Sequence, residues 1–69
     1  MTKEQIKKRV SYIANSNTTD QLKATLQYYE TTLARIIDRG NHRSEDYYQE
    51  LIQQHREALS LRIEIESNN

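Results

Sequence analysis

Two histidines and one pair of carboxylates are the side chains whose types and spacing come nearest to chemistry. His42 stands in a polar stretch beside Arg43 and reads as solvated. His55 projects from the apolar face of a helical segment. If antiparallel partners carry numbers summing to about 84, it lies opposite Tyr29, so a partly buried imidazole bonded to Tyr29 or to a carboxylate is expected. A metal site on a helix needs ligands three or four residues apart, as in Glu-x-x-His. Around His55 those positions hold Leu51, Ile52, Ala58 and Leu59, so no ligand pair forms. Asp46 and Glu50 share a helix face, but no histidine lies beside them, and they read as a solvated pair. No glycine-rich phosphate loop and no set of nucleophile, base and orienting group is present. The sequence therefore assigns no catalytic residue, no metal ligand and no cofactor, and an enzyme acting on a small-molecule substrate is not expected.

Composition narrows the fold to helices. The 69 residues include one glycine, no proline, no cysteine, no tryptophan and no phenylalanine. A β-rich fold would need several turn residues with positive φ, and only Gly40 adopts that conformation freely. Without cysteine there is no disulfide framework or thiolate metal site. No apolar run approaches the roughly 20 residues that span a bilayer, and no apolar segment follows the basic N-terminus, so it does not read as a secretory signal. A cytoplasmic protein with no membrane partner is the expectation.

Three helices position these residues within one domain spanning 1–69. Thr2 and Gln5 have the spacing of a capping box, which starts a helix over about 3–14 with Ile6, Val10 and Ile13 on one narrow stripe. Asn15, Ser16 and Asn17 end it. Thr18 and Gln21 repeat the capping spacing and open a helix over about 19–39. There Leu22, Leu26, Tyr29, Leu33, Ile36 and Ile37 cover an arc of roughly 100°. Gly40 terminates that helix, and the loop 40–43 is short enough to turn the next helix back antiparallel. Ser44 is the expected N-cap of a helix over about 45–66, with Glu45 and Asp46 suited to its first turn. The fold class is thus all-α, an antiparallel helical hairpin with a short additional N-terminal helix, expected to assemble into an oligomer.

The third helix carries more apolar circumference than a plain hairpin uses. Leu61, Tyr47, Ile65, Ala58 and Leu51 form one flank, and Tyr48, Leu59, Ile52 and Ile63 form the other. Together they span roughly 200°, with His55 and Arg62 between them. The second helix covers one flank. The three-residue stripe of the first looks too short to cover the other. A protein contact surface is therefore expected at Ile6, Val10, Ile13, Tyr47, Leu51, Ala58, Leu61 and Ile65.

Charge adds a second surface. The net charge is zero. Yet residues 1–43 hold eight lysines and arginines against four acids, and residues 44–69 hold six acids against two arginines. The chain can satisfy this by folding back on itself or by pairing antiparallel with a second copy. It can also keep Lys3, Lys7, Lys8 and Arg9 for an anionic partner. The doublets Tyr28-Tyr29 and Tyr47-Tyr48 point about 100° apart within each pair, so neither buries both rings on one stripe. Exposed tyrosine is a preferred interface residue.

In layout the chain resembles the small helical-hairpin chaperones that hold type III secretion needle subunits. The likeness rests on Arg39-Gly40, Tyr48, Leu51 and Ala58-Leu59 over roughly residues 20–65, features shared by helical hairpins generally. Small phage- or plasmid-encoded proteins that bind and block a host factor fit the same size and composition. The expected function is a non-enzymatic, chaperone-like, adaptor or inhibitor module that self-associates or binds another protein chain. The alternatives are a nucleic-acid-associated regulator using the basic N-terminal helix, and a purely structural homo-oligomer.

Overall fold

The first two helices begin where a side chain satisfies backbone N–H groups that a first turn leaves unpaired. In the computed structural model, which describes residues 2–68, α1 spans Lys3–Ser16, α2 Thr19–Asp38 and α3 Glu45–Ser67. The described residues contain no strand. Both capping boxes form in full. The Gln5 N–H donates to Thr2 Oγ1 at 3.2 Å while the Thr2 N–H donates to Gln5 Oε1 at 3.0 Å. Gln21 and Thr18 repeat the exchange at 3.2 and 2.8 Å.

The ends differ from the sequence reading in two places. α1 continues through Asn15 to Ser16, because the Asn15 amide folds back onto the Ser11 carbonyl at 2.8 Å instead of competing with the helix. Only Asn17 leaves, with extended backbone and its amide on the Ile13 carbonyl. Ser44 makes no capping bond from its side chain. Its backbone is already right-handed helical at φ −94° and ψ −6°, whereas side-chain capping needs the extended region. Gly40 does end α2, at φ +73°. Its N–H donates to the Ile37 carbonyl and that of Asn41 to the Ile36 carbonyl, both at 3.0 Å, closing the last turn.

α3 lies in the middle. It packs along both α1 and α2, which touch each other little. Contacts between α2 and α3 join Thr19 to Glu66, Tyr29 to His55 and Glu30 to Arg56, so residue numbers rise along one helix as they fall along the other. Val10, Ile13 and Ala14 of α1, Leu22 of α2 and Ala58 of α3 form one buried cluster where the three helices meet, with Ile6, Leu59 and Leu61 packed against it. Ala14 and Ala58 are fully buried, and their lack of bulk lets α1 lie close on α3.

The result is open. The Cα trace measures 44 × 27 × 14 Å with a radius of gyration of 13.2 Å, against about 11 Å for a compact chain of this length. Its accessible surface is 5321 Å², where a monomer of this mass exposes about 4,500 Å².

Among the described residues one polar side chain is buried. Gln54 is 3% exposed, its Oε1 has no hydrogen-bond partner, and its Nε2 reaches Glu50 Oε1 only at 3.5 Å. An unpaired buried acceptor carries its full desolvation cost. Gln54→Met keeps the shape of the side chain and removes that acceptor, and is expected to stabilise the fold by about 1 kcal/mol in urea unfolding. Leu22 is the large side chain most fully buried, at 1% exposure, and Leu22→Ala is expected to cost about 3 kcal/mol in the same measurement.

Candidate protein contact surface

The contact surface read from the sequence divides in the structure. Val10, Ile13, Leu51 and Ala58 are buried within the chain itself, and Ile6 and Leu61 are half-buried against the same cluster. Ile65 is half-buried as well. Of the eight, only Tyr47 stands open, at 59% exposure. This burial has a geometric reason. Ala14 joins Ile6, Val10 and Ile13 and widens the α1 stripe, and a 14-residue helix is about 21 Å long, enough to cover four turns of α3. The flank expected to seek a partner is therefore closed largely by α1 of the same chain.

What remains most open is aromatic. Tyr28 and Tyr29 have ring centroids 5.8 Å apart, Tyr29 and Tyr48 6.0 Å, and Tyr48 and Tyr47 5.5 Å. Four rings thus form a continuous ladder from the outer face of α2, across the seam, to α3. The two inner rings are half-buried, while Tyr28 at the far end is 65% exposed. All three pairs are tilted or edge-on, the arrangements that ring quadrupoles favour. His55 supports the ladder from below, its ring 5.1 Å from that of Tyr29. The pairing expected from the sequence holds, but the hydrogen bond does not. His55 Nδ1 donates to the Leu51 carbonyl of its own helix at 2.7 Å, which fixes the ring edge-on to Tyr29. His42 is exposed and lies 3.1 Å from Glu45 Oε2.

A second open feature lies beside the same seam. Leu33, Ala34, Ile37 and Ile52 floor a groove between α2 and α3, and Glu30, Asp46, Glu50 and Arg56 rim it. Arg56 is bonded to Glu30 at 3.0 Å, so Asp46 and Glu50 supply its net charge.

The basic residues of α1 do not make one face. Lys7, Lys8 and Arg9 are consecutive and fan through about 200° of the helix. Lys3, Lys7, Lys8 and Arg9 are all exposed, and none has an ion-pair partner among the described residues.

Arg62, expected only to sit between the two apolar flanks, anchors a network. Its Nε donates to Glu66 Oε1 at 3.0 Å and its Nη1 to the Ala14 carbonyl at 3.5 Å, while the Thr19 hydroxyl donates to Glu66 Oε2 at 2.7 Å. These bonds tie the end of α1 and the start of α2 to the end of α3. The pairing rule that sets Tyr29 against His55 also sets Thr19 beside Glu66, so the network had a signal in the sequence. The burial of Gln54 had one too, its wheel position between Leu61 and Ile65, although glutamine most often faces water.

No family model matches the chain, and neither a curated protein nor a solved structure matches it. Among the described residues no helix is long and apolar enough to cross a membrane.

The hydrogen bond from Thr19, followed by that from Arg62 and its positive charge, holds the Glu66 carboxyl below its ordinary value of 4.5. A carboxylate held lower in the folded state stabilises the fold above the unfolded value, and that contribution is lost as pH falls through the folded one. Glu66→Gln is therefore expected to flatten the acid limb of stability below about pH 4.5 and to leave its shape above pH 6 unchanged. Urea midpoints measured from pH 3 to pH 7 check this.

Proposed function

We propose that the chain is a non-enzymatic protein-binding module, chaperone-like, adaptor or inhibitor in kind, built on an α2/α3 hairpin that α1 braces. Its contact surface is the tyrosine ladder. The partner is another protein chain, further copies of itself included.

One observation carries this reading. The ladder is continuous, its inner rings are held by packing and by His55, and its two ends stand open at 65% and 59% exposure. Stiff aromatic rings lose little conformational entropy on binding and combine apolar area with a hydroxyl for hydrogen bonding, which makes tyrosine a frequent hot spot. The accessible surface, larger than the mass of the chain requires, supports the same reading. The absence of one basic face on α1 leaves nucleic acid as the weaker reading, because phosphate binding needs cations gathered along a surface.

Tyr28→Ala/Tyr47→Ala removes the two open ends and leaves the inner rings in place. Each hot-spot truncation costs about 2 kcal/mol of binding, so the double variant is expected to bind a partner at least about tenfold more weakly with unchanged helix content. Immobilised wild type and variant, challenged with a lysate of the native host and with the free chain, make the comparison. A protein held by wild type and released by the variant supports the ladder. Equal retention by both overturns it, and so does a partner that proves to be DNA or RNA lost steeply with salt.

A further inference from the structure

The charge imbalance between the two halves of the chain is not resolved inside it. Three ion pairs form among the described residues, His42–Glu45, Arg56–Glu30 and Arg62–Glu66. None joins a lysine or arginine of residues 1–43 to an acid of residues 44–69. Folding back therefore leaves an exposed basic surface and an exposed acidic one.

Both surfaces border α2. On one side Ala34 and Ile37 belong to the groove whose far wall carries Asp46, Glu50 and Ile52. Ile37 is 46% exposed there. On the other side of the same helix Tyr28, Arg35 and Arg39 fall within about 40° of one another, all exposed, and about 170° from the groove residues. Arg35 and Arg39 are four residues apart, as are Asp46 and Glu50, so one helical turn separates the charges within each pair.

From this complementarity we infer that the occupant of the groove is a second copy of this chain, which lays the Tyr28–Arg35–Arg39 face of its α2 against Asp46 and Glu50. The inference rests on the protein-binding reading above and specifies one partner and one surface for it. Ile37, Ala34 and Ile52 supply the apolar contact. The charges supply register and orientation, since exposed ion pairs contribute little net affinity but penalise the wrong alignment. With groove and basic face on opposite sides of α2, two copies cannot satisfy each other reciprocally. The contact is head-to-tail, and copies add one after another until a ring closes or a filament grows.

Charge exchange tests this on the full chain. Sedimentation at low salt is expected to show wild-type mass climbing with concentration above the 8.2 kDa monomer, and falling back in high salt. Arg35→Glu/Arg39→Glu and Asp46→Arg/Glu50→Arg are each expected to associate at least tenfold more weakly. An equimolar mixture of the two is expected to recover association, because each variant then offers the face that the other lacks. Circular dichroism checks folding, and Glu50→Arg alone, outside the first turn, replaces the acidic-side variant if that one loses helix. A wild type that stays monomeric at low salt overturns the inference, as does a mixture that remains dissociated. Charge variants that associate like wild type also overturn it, yet leave the protein-binding reading standing. That reading fails separately, on the comparison of Tyr28 and Tyr47, which alters none of these charges.

Discussion

Everything in this structure depends on α3 being covered from two sides by helices that barely touch each other. Its apolar arc is about twice as wide as one neighbour can hide. α2 takes the side of Tyr48, Ile52, His55 and Leu59, and α1 takes the side of Leu51, Gln54, Ala58 and Leu61. Remove either neighbour and the central helix presents a broad apolar strip to water. Because α1 and α2 do not close over one another, the molecule stays a shallow layer, and surface that a closed bundle would bury remains open.

That openness explains the distribution of the aromatic residues. In a closed bundle a third helix would lie over the α2/α3 seam and take up the tyrosines. Here the seam carries them at the surface, ordered by their own packing and by the His55 ring. The layer is closed instead at one end, where Arg62, Glu66 and Thr19 join all three helices with charge-assisted bonds. The chain is thus pinned at the α1–α2 turn, while Tyr28, Tyr47, Arg35 and Arg39 lie outside that network.

Gln54 belongs to the same account. It sits between Leu61 and Ile65 on the helical wheel of α3, on the side that α1 covers, and an apolar residue there would pack better. A buried polar group at one position of a helix interface can hold a single alignment at a cost in stability. With Ala14 and Ala58 offering smooth close contact along the rest of the α1/α3 interface, sliding would otherwise meet little resistance. Gln54 makes no hydrogen bond to α1, however, and the directional contact across that interface is the one from Arg62 to the Ala14 carbonyl.

Much of the fold is legible in the sequence. The two Thr-x-x-Gln boxes, Gly40 and the three- and four-residue spacing of Leu22, Leu26, Tyr29 and Leu33 determined where helices begin, where α2 ends and which faces are apolar. These are local signals, acting within one or two turns of the residue that carries them. They were weakest at Asn15 and Ser44, where the competing side-chain bonds depend on details of backbone angle. The tertiary structure alone decided which neighbour covers each flank of α3. Val10, Ile13 and Ala58 look equally ready for a partner or for their own chain, because an apolar stripe specifies burial but not by what. Two alanines, Ala14 and Ala58, settled that by allowing α1 to approach closely. Only once that flank was closed did the tyrosine ladder and the acid-rimmed groove emerge as the surfaces left exposed.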